Sequence, residues 1–295
     1  MANSPLDRLL SRQRWMDGVA DTIQAATGAS FKLLGPAGPG VKNLLHGTKP
    51  LGHPLHPALS DIPMGAWALA VVLDIAYLTH HLQPQATDVA ICVGLLGALG
   101  SALTGYTDFH ETYGHGRRAA LLHGLTMTAT IILYAVSFAL RLWGGNGVRT
   151  PAIVISFVGF AMVATGGYLG GHLVFGLGTQ VNRNAFEHTP EGLVAVGSVS
   201  DFADGKPTRA DAQGTPVLVT RAGSTWGAVG AVCSHAGGPL DEGTFCDGIV
   251  SCPWHDSHFD VVTGRIAQGP ATFAQPRYEV VVNGESVSVR LMDPQ

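Results

Sequence analysis

The sequence predicts a multidomain chain: an N-terminal all-α bundle of four transmembrane helices, followed by a small C-terminal all-β domain. Three observations carry that expectation. Only 13% of the 295 residues are charged, about half the usual share. Four apolar stretches, Ile62 to Leu78, Val89 to Tyr106, Ala119 to Leu140 and Ala152 to Leu177, approach or exceed the roughly 17–25 residues that cross a bilayer as a helix. Beyond residue 190 the pattern changes to short apolar runs broken by turn residues. The boundaries read from these shifts are a tail over 1–57, a transmembrane domain over 58–178, a linker over 179–190 and the β domain over 191–295.

Taken in order, the tail opens with a candidate amphipathic helix over about residues 3–24. Leu6, Leu9, Leu10, Met16, Val19, Ala20 and Ile23 recur at helical spacing, with arginines opposite. Such a face suits either a membrane surface or packing on the protein. Gly35-Pro-Ala-Gly-Pro-Gly40 breaks the helix. Gly52-His-Pro-Leu-His-Pro57 leads into the first span, where Asp61 and Pro63 suit a cap and a first-turn proline. The second span carries Gly97, Ser101 and Gly105, and the fourth Gly166-Gly167 and Gly170-Gly171. Small residues at such spacing let helices pack closely in lipid. No cleavable leader pattern opens the chain. A soluble helical bundle is the alternative to four spans.

Orientation follows from the basic residues. Arg8, Arg12, Arg14, Lys32, Lys42 and Lys49 lie in the tail, Arg117 and Arg118 between the second and third spans, and Arg183 after the fourth. The opposite side has only Arg141 and Arg149. The expectation is a multi-pass protein of the cell (inner) membrane with both termini and the β domain in the cytoplasm. Four cysteines suit that reducing compartment. Cys92 reads as a packing residue and Cys246 as a small buried hydrophobe. On this topology His56, His123 and His172 fall toward the cytoplasmic side of the bundle. Neutral imidazole can ligate haem iron or partner a quinone carbonyl, so these three are candidates for a haem b or quinone site. Loop hydrogen bonding for His56 and an interfacial position for His123 are the plainer readings.

In the β domain, Val217 to Thr220, Trp226 to Val232, Ile249 to Cys252, Tyr278 to Val282 and Val287 to Arg290 read as strands, with a hairpin turn at Asn283-Gly284. Between them stand Cys233-Ser-His235 and Cys252-Pro-Trp-His255, sixteen residues apart. Two thiolates and two imidazoles could hold a tetrahedral zinc. Zinc folds usually pair like with like, however, whereas each pair here mixes one cysteine with one histidine. That mixture suits two loops each giving one ligand to each of two irons.

The flanking sequences Cys233-Ser-His-Ala-Gly-Gly-Pro-Leu240 and Cys252-Pro-Trp-His-Asp-Ser-His-Phe-Asp260 resemble the cluster-binding loops of Rieske [2Fe–2S] proteins. Gly269-Pro270-Ala271 resembles the proline loop that covers the cluster in that family. The resemblance implies an antiparallel Rieske domain holding a [2Fe–2S] cluster through Cys233, His235, Cys252 and His255. It further implies exposed histidines serving as the electron exit, reduction coupled to proton uptake at those histidines, and a supporting shell that includes Ser257 and Pro270. Gly238 and Trp254 stand where respiratory members carry a disulfide. Phe259 replaces a tyrosine and Asp256 a glycine, both changes that lower the potential and suit the ferredoxin type used with oxygenases. Residues 50–178 resemble, through weaker motifs, an uncharacterised bacterial four-helix membrane domain family.

These readings make the chain a membrane-anchored one-electron carrier, an oxidoreductase-type carrier more than a self-contained enzyme. The alternatives are a redox enzyme with haem or quinone in the bundle feeding the cluster, or a Rieske-type membrane oxygenase. From Glu191 onward 12 acidic residues face 6 basic ones. That balance favours a redox partner protein with a basic docking face and argues against nucleic acid.

Overall fold

The computed structural model describes residues 4–292 and divides into two compact units. The first comprises the segments up to Gly38 and from Leu55 to Thr179; the second comprises Pro39–Pro54 and the segment from Gln180. The first position of the expected amphipathic helix and the last three residues of the expected β domain lie outside the described residues.

The first unit is helical. α1 (Pro5–Ser11) is opened by a capping box in which Ser4 and Asp7 satisfy each other's backbone and side-chain groups. α2 (Trp15–Leu33) follows a break at residues 12–14. The single helix expected over 3–24 is therefore two. Their apolar side packs on protein: Leu10, Met16 and Ala20 are buried with Phe109, Ala119, Leu121 and Leu173. Arg118 donates to both carboxylate oxygens of Asp17, at 2.8 and 2.6 Å, and Arg117 pairs with Asp21.

Four helices are long and apolar enough to cross a membrane: α4 (Leu55–Leu78), α5 (Gln85–His110), α6 (His115–Trp143) and α7 (Arg149–Gly171). The last continues as a π turn over His172–Gly176. Leu69, Val72 and Ile75 of α4, Leu96, Leu99 and Leu103 of α5, and Val154 and Val158 of α7 are exposed. An apolar exterior of that extent is what lipid covers. The chain is a membrane protein.

α4 begins seven residues earlier than its apolar stretch suggests. Asp61 is not its cap, and Pro63 sits inside the helix, buried. Gly52, with φ of +63°, ends the preceding turn and lets the helix start directly after Pro54. The small-residue face of α5 is where α4 packs: a Cβ on Gly97 would fall 2.6 Å from Ile62, and Ser101 Oγ lies 2.8 Å from Ser60 Oγ. In the interior Trp67 stacks on Tyr134 with ring centroids 4.1 Å apart. Asp74 of α4 forms a bidentate pair with Arg141 of α6 at 2.8 and 2.6 Å, both side chains fully buried.

The second unit is a β domain with a short helical segment from the tail. α3 (Gly38–His46) supplies the first half of that segment, which runs on to Pro54. A six-stranded antiparallel sheet has the order β1 (Val194–Ser198), β10 (Ser286–Leu291), β9 (Arg277–Asn283), β4 (Thr225–Gly230), β3 (Thr215–Ala222), β2 (Thr208–Ala212). A smaller sheet runs β5 (Thr244–Cys246), β6 (Ile249–Ser251), β7 (His258–Asp260), β8 (Ile266–Gln268). β3 is buried on both faces, with Val217 and Val219 in one apolar cluster and Leu218 in another that holds Val250 and Phe259. Its continuous apolar run follows from that double burial. The hairpin after β9 turns one residue later than expected: Asn283 pairs with Ser286, so Gly284 and Glu285 form the loop, with Gly284 at φ +61°. Cys246 is exposed, correcting the expected burial, because β5 presents it outward with its sulfur 3.5 Å from the Asp247 carboxylate.

Candidate iron–sulfur site

Two loops build the site. The first follows β4, and the second connects β6 to β7. In the first, Cys233 N–H donates to Gly238 O at 2.8 Å and Gly237 N–H donates back to Cys233 O at 2.9 Å, folding the six residues into a closed turn. In the second, Cys252 N–H donates to Ser257 O at 2.8 Å and Asp256 N–H to Cys252 O at 3.0 Å. Asp256 takes φ of +58°. That left-handed conformation costs ordinary residues energy but is tolerated by Asp, and its carboxylate meets His258 Nε2 at 2.9 Å.

The loops bring sulfur to sulfur and ring to ring. Cys233 and Cys252 are buried in the same apolar cluster, with their thiols in hydrogen-bonding reach. The His235 and His255 rings lie 4.9 Å apart, centroid to centroid, nearly perpendicular. Among the described residues no three His, Cys, Asp or Glu side chains converge on a single ion; the donors stand as two pairs, one of sulfur and one of nitrogen. His235 Nδ1 is buried with no hydrogen-bond partner, which is costly for a polar atom unless it has a ligand. A Cβ on Gly238 would fall 2.8 Å from the Cys252 sulfur and 3.1 Å from the Trp254 ring, so only glycine leaves that space open. Paired soft and imidazole donors around such a space fit a two-iron cluster.

Electrostatics suit ligation. Burial, then the neighbouring His255 and the buried His46, pushes His235 down to about 3, leaving the neutral imidazole that binds metal. A hydrogen bond from Cys233, with the Trp254 and His255 backbone N–H groups, pulls Cys252 down to about 6. The neighbouring sulfur and burial push Cys233 up. Ser257 is fully buried, and its Oγ accepts the Ala271 N–H at 3.0 Å. Pro270 is buried in the adjoining loop.

Residues 192–279 match the Rieske [2Fe-2S] domain. The biphenyl 2,3-dioxygenase ferredoxin component of Rhodococcus jostii (strain RHA1) is 33% identical over 99 residues, covering 34% of this chain and 92% of that protein. The chain belongs to the Rieske [2Fe–2S] family. Its domain binds a [2Fe–2S] cluster, and a domain of this family implies an electron-transfer role. Apoptosis-inducing factor 3 of Homo sapiens is 31% identical over 96 residues, 32% of this chain; the chain spans only 16% of that relative's length. Among solved structures, the ferredoxin of carbazole 1,9a-dioxygenase from Nocardioides aromaticivorans IC177 is 34% identical, covering 37% of this chain and 100% of that one, with a TM-score of 0.32. Residues 52–183 match a second family, described as a predicted membrane protein (DUF2231).

The bundle histidines are placed separately. His56 Nδ1 donates to Ser101 O at 2.8 Å and His123 Nδ1 to Gly166 O at 2.9 Å, with the two rings 6.1 Å apart. His172 is engaged elsewhere, its Nε2 2.9 Å from Asp7. Sequence reasoning missed Asn43 and Thr48, which contact the loop around Pro270: Asn43 Oδ1 accepts from Gly269 N–H at 2.9 Å, and the Thr48 hydroxyl donates to Ala271 O at 3.0 Å. No local signal marks them, because their partners lie more than 220 positions away.

Proposed function

We propose that this protein is a membrane-anchored one-electron carrier whose cluster is held by Cys233 and Cys252 on one iron and His235 and His255 on the other. The observation that carries this is the pairing of two buried sulfurs and of two adjacent imidazoles on the same two loops, one imidazole with a buried, unpartnered Nδ1. When bound, the cluster supplies one-electron redox chemistry at a potential raised by its nitrogen ligands. The chain's own residues then hold, shield and orient. The apolar cluster of Leu218, Val229, Val250 and Phe259 keeps water from the cysteines. Nδ1 of each histidine serves as the donor atom, and Nε2 carries the proton. Ser257, its Oγ already accepting from Ala271 N–H, has its hydroxyl proton free to donate to a cluster sulfide. Trp254, exposed and with its ring 6.4 Å from His255, lies on the face a partner would meet.

The partner is a redox protein with a basic docking face, as the acidic balance of the region from Glu191 suggests. The resemblance to dioxygenase ferredoxins supports an oxygenase or reductase. Location in the cell (inner) membrane with both termini and the Rieske domain cytoplasmic is supported by the basic residues of the tail and of the α5–α6 connection. Electron paramagnetic resonance of dithionite-reduced membranes tests the core of this reading: a Rieske signal lost in Cys252→Ser and His255→Ala is expected. Zinc in place of iron and sulfide would refute it. Protease access to the Rieske domain in inverted but not right-side-out vesicles tests the orientation.

One observation favours a second role for the bundle. Donation of Nδ1–H to carbonyls leaves His56 and His123 with Nε2 as the acceptor or ligand atom, as a quinone-type or haem b site requires. A Soret band, or quinol-dependent cluster reduction abolished in His123→Ala, would establish it; the absence of both would leave the bundle as an anchor.

A further inference from the structure

Ala271, next to Pro270, is held at both of its backbone polar groups. Its N–H donates to Ser257 Oγ at 3.0 Å, and its C=O accepts from the Thr48 hydroxyl at 3.0 Å. Thr48 is only 4% exposed and Ser257 0%, so neither bond is shared with bulk water. The same tail segment grips the loop at three further points. Asn43 Oδ1 takes the Gly269 N–H, Lys49 Nζ donates to Ala267 O at 3.1 Å, and the His53 ring stands edge-on to Phe273 at 6.5 Å. All of these groups belong to one compact unit. A hydroxyl whose oxygen already accepts a backbone N–H has one proton left, and the position of that N–H limits where it can point. Moving Ala271 therefore moves the Ser257 hydroxyl.

We propose that residues 43–53 form a strap that positions the cluster-covering loop, with Thr48 acting through Ala271 on the Ser257 hydroxyl. Residues from the tail thereby tune the potential and retention of a cluster bound by loops near the other end of the chain. Thr48 is a positioning residue in this scheme. Its hydroxyl bonds to the loop backbone at Ala271 O, and it works as outer partners of metal sites generally do, by orienting the groups nearer the metal. The inference rests on the cluster assignment made above.

The test uses the full-length protein in detergent, with midpoint potential as the first readout. Thr48→Val keeps the side-chain shape, removes the donor and leaves Ala271 C=O unsatisfied. The reduction equilibrium is expected to fall several-fold, up to tenfold, which for a one-electron couple is about 59 mV. Thr48→Ser restores it. In a Ser257→Ala background, Thr48→Val gives no further shift, since the two act in series. An unchanged potential in Thr48→Val, or an equal shift with and without Ser257, overturns the relay. The second readout needs no cluster. Backbone amide exchange at Gly269 is expected to accelerate at least tenfold in Asn43→Ala, and unchanged exchange overturns the strap. If Thr48→Val fails to accumulate, Asn43→Ala carries the potential measurement as well, and an unaltered potential counts against the proposal. Loss of the cluster signal from the unmodified protein would instead overturn the assignment of the ligands, with amide exchange still deciding the strap.

Discussion

Replacing Asp74 by Asn isolates the energetics of the membrane unit. The carboxylate meets Arg141 at 2.8 and 2.6 Å, and both side chains have no exposed surface. Arg141 also donates to Ser137 Oγ at 3.2 Å and to Ser156 Oγ at 3.0 Å, so each of its three guanidinium nitrogens donates a hydrogen bond. Asn is nearly isosteric and keeps one oxygen for one of the two bonds, but it leaves the arginine charge unbalanced. Removing one partner of a buried pair costs about 3–5 kcal/mol. Asp88, 3.7 Å from Arg141, compensates part of the charge and places the expectation near the lower end, about 3 kcal/mol. At about 2–4 °C per kcal/mol for chains of this size, the helical transition should fall by about 6–12 °C. Circular dichroism at 222 nm in detergent reads this directly. Asp74→Asn combined with Arg141→Gln should recover most of the loss, because a neutral pair carries no uncompensated charge. The reasoning fails if the single variant melts with the parent, or if the double variant is worse than the single one.

Three further outcomes are expected. Asp256→Asn keeps a residue that tolerates φ of +58° while removing a charge near the cluster. In a water-like dielectric a unit charge beside the proposed ligand loop is worth on the order of 0.5 kcal/mol, so the midpoint potential should rise by about 20 mV, and a fall would contradict the assignment of the loop. With the cluster in place, maleimide should modify exposed Cys246 and spare Cys233 and Cys252; labelling should be slow at neutral pH, because Asp247 beside it raises the thiol pKa. The Asp7 carboxyl is held below its ordinary 3.8 chiefly by the Ser4 hydroxyl and then by His172. A depressed acid stabilises the fold above its unfolded pKa and loses that contribution as pH falls through the folded value. Acidification below about pH 4 should therefore loosen α1 before α4–α7, seen as faster proteolysis near Leu10; equal loosening throughout would refute it.

Local pattern was legible and long-range pairing was not. The four spans were readable because lipid imposes a length and an apolar composition on each helix independently. Their starts were less so. Asp61 and Pro63 look like a helix opening, yet α4 begins at Leu55, because the turn ending at Gly52 already frees the chain to coil. The proposed cluster ligands stand out in the sequence because each loop carries its own cysteine and histidine within four positions. The strands missed were β5, β7 and β8, three residues each and too short to show alternation, and the two edge strands of the larger sheet, β1 (Val-Ala-Val-Gly-Ser) and β2 (Thr-Arg-Ala-Asp-Ala).

The same distinction separates the residues that mark a function from those that support it. Cys233 to His235 and Cys252 to His255 are chemistry written in a few consecutive positions, so they stand out in any context. Asp74 and Arg141 are 67 positions apart, and Thr48 and Ala271 are 223 apart. Each of these residues looks ordinary alone: an acid near a helix end, an arginine in a connection, a threonine in a turn. Their roles exist only once the fold has closed, because each depends on a burial that leaves distant protein groups as its means of satisfaction. A cut between tail and β domain made on composition would separate Asn43 and Thr48 from the loop they hold. The compact unit that holds the proposed cluster loops is therefore discontinuous in sequence, with residues 39–54 part of it together with the segment from Gln180.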